Sequence, residues 1–380
     1  MILGRGGYGI VYAKDGVAVK SLEITDCGIR SLLEVSIMST YKHEAIVSAL
    51  SVAIEDGKLL IYQEIADCDL KTYINERGGY RYEFGNELLL KHFSTICAGI
   101  RVLHSANIIH GDLKPRNVLV YGNDVKLCDF GCSVIACGDG TRSVFGTVNY
   151  NAPEVLIQSI IHTASDIWSL GCVFYEMLTG NTLVPSYEKN CRGKRALTAK
   201  SLQLWREEEG DVIDVRDKLQ DADILPVIFH VDKHADDIKM MTSYYPSNRP
   251  TIDEIMEQVG IPYQGSNITC LCIDDNNYQR AATRLESYLL QRKLLCRELV
   301  DERIVKKATQ ILSVSPSMST EYLEAAIHMS CNMYQTNIPN YHPVTTMCNI
   351  VKAELHICEH LGFRMHKFCY NKHYVKDVCK

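Results

Sequence analysis

Residues Ile108 to Val120, IIHGDLKPRNVLV, constrain this chain more than any other stretch. An apolar pair leads into a tight polar loop, and an apolar strand follows. The loop carries a carboxylate (Asp112), an amine two residues on (Lys114) and an amide (Asn117) whose oxygen can bind a metal. Nine residues beyond Val120 stands Asp129-Phe130-Gly131. One acid to orient an attacking hydroxyl, one amine to neutralise a migrating phosphoryl and two oxygen ligands for magnesium make up the set that phosphoryl transfer needs.

The upstream sequence fits the same chemistry. Gly4, Gly6 and Gly9 fill a Gly-x-Gly-x-x-Gly pattern, in which missing side chains let backbone N–H groups close over phosphates. The pattern lies between strand-like segments and not before a helix, which argues against a dinucleotide-binding fold. Val17-Ala18-Val19-Lys20 then gives a strand ending in an amine. In order and content these motifs resemble those of a eukaryotic-type serine/threonine protein kinase of the cyclin-dependent type, over about Met1 to Gln258. The fold class implied is α+β, a bilobal kinase fold with a small β-rich N-lobe (1–64) and a helical C-lobe (65–259).

The resemblance assigns roles to residues. Lys20 grips the α- and β-phosphates, and Glu34, on a helix over Ile29 to Met38, is its partner by position. His43 to Val47 and Leu59 to Tyr62 read as the remaining strands of the N-terminal sheet. The hinge falls at Gln63 to Ala66, with Gln63 as gatekeeper, the backbone at Glu64 and Ala66 on the adenine edge, and Asp69 near the ribose. Asp112, Lys114 and Thr147 serve the transfer step, and Asn117 and Asp129 hold magnesium on ATP. Thr147, in the Gly146-to-Glu154 segment, would hydrogen-bond Asp112 and Lys114. Asp166 would clamp the catalytic-loop backbone, and Arg249 would pair with Glu154. No cofactor other than magnesium with ATP is expected.

The departures carry information too. CGIRSLLE stands where the family's PSTAIRE signature belongs, and Gly111 replaces the arginine before the catalytic aspartate. The other two arginine positions that would bind an activation-loop phosphate hold Leu33 and Val134. Without cations there, a phosphate finds no charge-assisted partner. The expectation is activity independent of phosphorylation at Thr141, Ser143 or Thr147. Lys114 marks a serine/threonine enzyme, and Asn151 replaces the arginine that proline-directed members carry before Ala-Pro-Glu. Tyr8 matches the position of an inhibitory tyrosine. The charged stretch from Asn181 to Tyr245 reads as a solvated insert.

After Pro262 the pattern becomes helical throughout. Apolar residues recur at Leu285, Tyr288, Leu289, Cys296 and Leu299, then at Ile304, Val305, Ala308, Ile311 and Leu312. Ser319 or Thr320 caps a third helix with Leu323, Ala326, Ile327 and Tyr334 on one face. A short fourth helix starts at His342-Pro343, and Val351 to Leu361 forms a fifth. EYLEAAIHMSCNMY, HPVTTMCNI and AELHICEHLGF resemble helices three to five of a cyclin box. The boundaries read as linker 260–277, an all-α five-helix cyclin-like domain over 278–363 and a tail over 364–380. In that family a lysine on helix three and a glutamate on helix five meet the kinase. Glu354 matches the second, and Asn332 stands in place of the first. The resemblance implies a kinase with its activator in the same chain, where tethering raises the effective concentration of a weak contact. The alternatives are a pseudokinase scaffold, or a kinase whose C-terminal helices only dock partners.

Bulk properties set outer bounds. A chain of 380 residues, 46% hydrophobic and 23% charged, has room for two or three domains with ordinary cores. The net charge of -6 argues against direct nucleic-acid binding. No apolar run reaches the ~18 residues of a membrane span, and with Gly4 so early in the chain no signal peptide is expected. The 16 cysteines are scattered through apolar segments, which suits reduced thiols in a cytoplasmic or nuclear protein. In the tail, His366, Cys369, His373 and Cys379 lack a paired zinc knuckle, so a surface helix with buried thiols is expected. Expected partners are protein substrates, the cyclin-like module in the same chain and further regulatory proteins.

Overall fold

The computed structural model describes residues 1–6, 9–23, 32–56, 58–77, 80, 87–136, 140–142, 146–184, 198–203, 234–258, 275–291, 302–313, 315, 317, 319–334, 353–354 and 356–357. Contacts divide the chain into two compact units. The first comprises Met1–Lys42, Ser48–Ile65 and Asn267–Lys380, and the second His43–Val47 and Ala66–Ser266.

The first unit holds an antiparallel five-stranded sheet. Its strands are β1 (Ile2–Gly6), β2 (Gly9–Lys14), β3 (Val17–Glu23), β4 (Ser51–Glu55) and β5 (Lys58–Gln63), in the order β1-β2-β3-β5-β4. The glycine pattern forms the β1–β2 connection, with Gly6 opposite Gly9. Lys20 lies on β3, paired with Val11 of β2 and Ile61 of β5. Helix α1 (Leu32–Thr40) follows. Its residues from Leu33 to Met38 are all buried, Glu34 and Ser36 included. A helix covered on every side needs partners beyond one sheet face.

The sequence reading placed His43–Val47 in this sheet, and the structure corrects it. Ala45, Ile46 and Val47 are each 1% exposed, but they pair with the end of another strand in the second unit. Ile46 bridges Leu127, the Leu127 N–H donates to the Ala45 carbonyl at 2.8 Å, and the Val47 N–H donates to the Leu127 carbonyl at 2.9 Å. A short apolar run fixes burial but not the partner. The strand next to β5 is Ser51–Glu55.

The second unit opens with β6 (Cys68–Asp69), α2 (Leu70–Arg77) and α3 (Glu87–Ser105). Leu89, Phe93, Ile96, Ile100 and Leu103 recur at three and four residues along α3 and are buried. The chain continues through β7 (Ile108–Ile109), β8 (Val118–Tyr121), β9 (Asp124–Leu127), β10 (Val134–Ile135), β11 (Thr141–Arg142), α4 (Pro153–Gln158), β12 (Ile160–Ile161), α5 (Thr163–Thr179) and α6 (Ile252–Gln258). Helix α5 is buried from Ser165 to Thr179 and forms the centre of the unit. Phe174 of α5 stacks on Phe93 of α3, with ring centroids 3.9 Å apart. Truncating such a ring to alanine costs about 3–5 kcal/mol.

Arg249, just before α6, ties this unit together. Its guanidinium meets both oxygens of Glu154 at 2.7 and 2.9 Å and donates to the carbonyls of Ser243, Ala164 and Tyr244. Both side chains are buried, and a bidentate fork with every donor engaged is the geometry in which a buried pair is tolerated.

The C-terminal helices belong to the first unit: α7 (Asp275–Gln291), α8 (Glu302–Ser313) and α9 (Thr320–Tyr334). Apolar stripe residues including Leu285, Leu289, Ile304, Ile311, Leu323 and Ile327 are buried, together with polar residues such as Gln310 and Glu324. Helix α8 packs on both α7 and α9, and α9 also lies against α1. The expected fourth helix, Asn332's side chain, Tyr8, Ser143 and the tail fall outside the described residues. Of the fifth helix only Ala353, Glu354, His356 and Ile357 are described. Glu354, expected to face the kinase, is fully buried and accepts from His328 Nδ1 of α9 at 2.6 Å.

Candidate active site

Two groups of polar residues stand out against apolar surroundings, one in each unit. In the first unit the Lys20 amine donates to Glu34 Oε1 at 2.5 Å. Glu34 is 0% and Lys20 9% exposed. Two desolvated charges are held only when paired, so each fixes the other's position.

In the second unit Pro115 opens a short 3-10 turn to Asn117, after which the chain enters β8. Lys114 Nζ donates to Asp112 Oδ2 at 2.5 Å and to Thr147 Oγ1 at 2.7 Å. Thr147 Oγ1 in turn donates to Asp112 Oδ1 at 2.8 Å. Acid, amine and hydroxyl thus form a closed ring although Thr147 is 35 residues from Asp112. Asn117 Nδ2 donates to the Asp112 carbonyl at 2.8 Å and to Oδ2 at 3.1 Å. That orientation turns its Oδ1, the atom suited to a hard cation, away from Asp112.

The β8–β9 hairpin brings the second oxygen donor to the same end. Val118 pairs with Leu127, and the Cys128 N–H donates to the Asn117 carbonyl at 2.9 Å. Asp129 therefore emerges beside Asn117. Its backbone has φ 60°, ψ 70°, a left-handed conformation that costs on the order of 1–3 kcal/mol for a non-glycine residue and clusters at functional sites. One amide oxygen and one carboxylate suit magnesium, which keeps several waters and takes its other ligands from phosphates.

The loop is anchored from below. Asp166 accepts from the His110 and Gly111 N–H groups at 2.8 and 3.0 Å, as expected of it. Ser133 Oγ donates to the His110 carbonyl at 3.0 Å, and β10 pairs with β7 just before the loop. Both contacts are backbone-directed and carry no compositional signal.

The chain belongs to the protein kinase family. The protein kinase domain matches residues 1–259. Cell division control protein 2 homolog 3 of Trypanosoma brucei brucei is 40% identical over 197 residues, covering 48% of this chain and 62% of that protein. A probable cell division protein kinase of Encephalitozoon cuniculi is 32% identical over 271 residues, covering 67% and 94%. Mitogen-activated protein kinase 15 of Oryza sativa subsp. japonica is 27% identical over 367 residues, covering 85% and 68%.

Other residues expected at the site are placed as follows. Gln63 is 7% exposed at the end of β5, and Glu64 is exposed. Asp69, expected near a ribose, caps α2: its carboxylate accepts from the Thr72 N–H at 2.9 Å and hydroxyl at 3.2 Å. Position alone had missed Lys71, whose amine bonds Glu176 of α5. The same carboxylate accepts from the Tyr150 hydroxyl at 2.6 Å. Burial beside Glu176 pushes the Tyr150 hydroxyl pKa well up, so it stays a donor. Among the described residues no helix is long and apolar enough to cross a membrane.

Proposed function

We propose that the protein is a serine/threonine kinase that transfers the γ-phosphoryl of ATP to protein hydroxyls. The observation that carries this is the ring of Asp112, Lys114 and Thr147 with Asn117 bonded to it. Asp112 orients the substrate hydroxyl and accepts its proton, while Lys114 neutralises charge on the migrating phosphoryl. Thr147 keeps both side chains in register. Lys20, held by Glu34, engages the α- and β-phosphates. Asn117 and Asp129 would hold magnesium, which neutralises the phosphate oxygens when bound. The Gly4–Gly9 turn covers the phosphates, and Glu64 and Ala66 offer hinge backbone to the adenine.

Activity without activation-segment phosphorylation fits the burial pattern. Gly111 carries no cation, and Leu33 and Val134 are apolar and buried. Thr141 is 3% exposed and its hydroxyl donates to the Ile135 carbonyl at 3.0 Å, so it is already engaged.

The C-terminal helices act, in this reading, as a cyclin-like activator in cis. The contact of α9 with α1 supports it, because α1 carries Glu34. Deleting the residues after Pro262 tests the idea. An activator's loss lowers kcat on every peptide, whereas loss of a docking module affects only particular protein substrates.

A further inference from the structure

Between Ile108 and Val120 every residue is buried or partly buried except Arg116. It stands in the turn that follows Lys114, flanked by the buried Pro115 and Asn117. Its side chain is 67% exposed, and among the described residues its guanidinium makes no hydrogen bond. The carboxylate that approaches it, Asp69 Oδ2, stays 4.0 Å away and already accepts from the Thr72 hydroxyl, while Oδ1 takes the Thr72 N–H. A pair this long and this exposed adds little.

The acid on the neighbouring helix is engaged as well. Helix α2 packs against the 115–117 turn and carries Lys71, whose amine bonds Glu176. The second oxygen of Glu176 accepts from the Tyr150 hydroxyl. Burial and Glu176 push the Tyr150 hydroxyl pKa up, and the positive charge of Arg116 works against them. Arg116 is therefore within electrostatic reach of the segment that leads from Thr147 into α4. In the proposed reaction Asp112 receives the substrate hydroxyl, so the residues flanking that hydroxyl run over the exposed side of this loop. The charge the loop presents there is a cation with uncommitted donors. A planar guanidinium takes a carboxylate or a phosphate through two parallel hydrogen bonds.

We propose that Arg116 is a specificity-determining residue that takes an anionic side chain, a carboxylate or a phosphate ester, close in sequence to the target serine or threonine. The inference rests on the kinase reading above and names the substrate class for that reaction, acidic peptides. An extended peptide advances about 3.3 Å per residue, so the anion belongs within about three residues of the target.

The test uses the full chain with magnesium–ATP and a neutral serine peptide that carries aspartate, phosphoserine or lysine at each of these positions in turn. The readout is kcat/KM relative to the unsubstituted peptide, taken within each protein so that the amount of folded enzyme cancels. At the best position wild type should favour aspartate about fivefold, and phosphoserine at least as much because it carries more charge. A gain with phosphoserine alone would support a phosphate ester as the ligand, and a gain with both a general anion site. Arg116→Gln should bring both ratios to about one, and Arg116→Glu should move the gain to lysine at the same position. Salt near 1 M, where the Debye length is ~3 Å, should shrink the wild-type gain. An acidic gain missing from wild type, or kept in Arg116→Gln, would overturn the proposal. If wild type labels no peptide at all, the kinase reading fails, and the anisotropy of a fluorescent aspartate peptide then decides the site. Tighter binding by wild type than by Arg116→Gln would support it, and equal binding would overturn it.

Discussion

The carbonyl oxygen of Gly111 occupies space that a side chain at Gly146 would need: a Cβ on Gly146 would lie 2.8 Å from it. On its other side, a Cβ on Gly111 would lie 2.6 Å from the Cys132 carbonyl oxygen, just past Asp129-Phe130-Gly131. Both glycines have positive φ, +77° and +98°. The Gly111 carbonyl therefore lies against the segment carrying Thr147, while the side-chain position that an arginine fills in many kinases faces Cys132.

Introducing that arginine should lower the proposed activity. Gly111→Arg forces a side chain into left-handed backbone, at about 1–2 kcal/mol, and into the Cys132 carbonyl. We expect kcat on a peptide to fall at least about tenfold, with Gly111→Ala intermediate. Activity equal to wild type in the arginine variant would show that the backbone contact is dispensable.

The Lys20–Glu34 pair should fail asymmetrically. Removing one partner leaves a buried charge uncompensated, at about 3–5 kcal/mol. Lys20→Met also deletes the phosphate contact and should abolish transfer. Glu34→Gln keeps the Lys20 amine and should lower kcat/KM for ATP by roughly two orders of magnitude. Equal activity of Glu34→Gln and wild type in a steady-state titration of ATP would contradict the role assigned to α1.

The His328–Glu354 pair should make the C-terminal helices sensitive to pH. Burial pulls the His328 pKa down, but the hydrogen bond and charge of Glu354 outweigh it, so the folded value lies above the ordinary one. Burial raises Glu354 as well. Both groups bind protons more tightly when folded. The His328 contribution is complete below its unfolded value of about 6.5 and is lost as pH rises through its folded value. Melting of the full chain should drop from pH 6 towards pH 8.5, and His328→Gln should flatten that slope. A histidine-independent profile, or stability that rises over this range, would count against the pair.

Much of the site was legible because its chemistry is local in sequence. Asp112, Lys114 and Asn117 lie within one turn, and a two-strand hairpin brings Asp129 beside them. Thr147 was found through its place before Ala-Pro-Glu. What escaped depends on partners that no short window contains. The apolar run at His43–Val47 signalled burial, but its neighbour turned out to be Leu127 and not β5. Asp69 suits a ribose and a helix cap equally well in sequence, and only the Thr72 contacts show it in the cap. The burial of α1 on all sides likewise needed α9, nearly 300 residues downstream.

The most direct test is transfer of label from γ-labelled ATP to a serine- or threonine-containing peptide with magnesium, comparing wild type with Asp112→Asn and Asp129→Asn. The account predicts phosphoserine or phosphothreonine with wild type and a loss of at least about three orders of magnitude in each variant. No transfer by wild type with any divalent ion, or equal transfer by all three proteins, would contradict it.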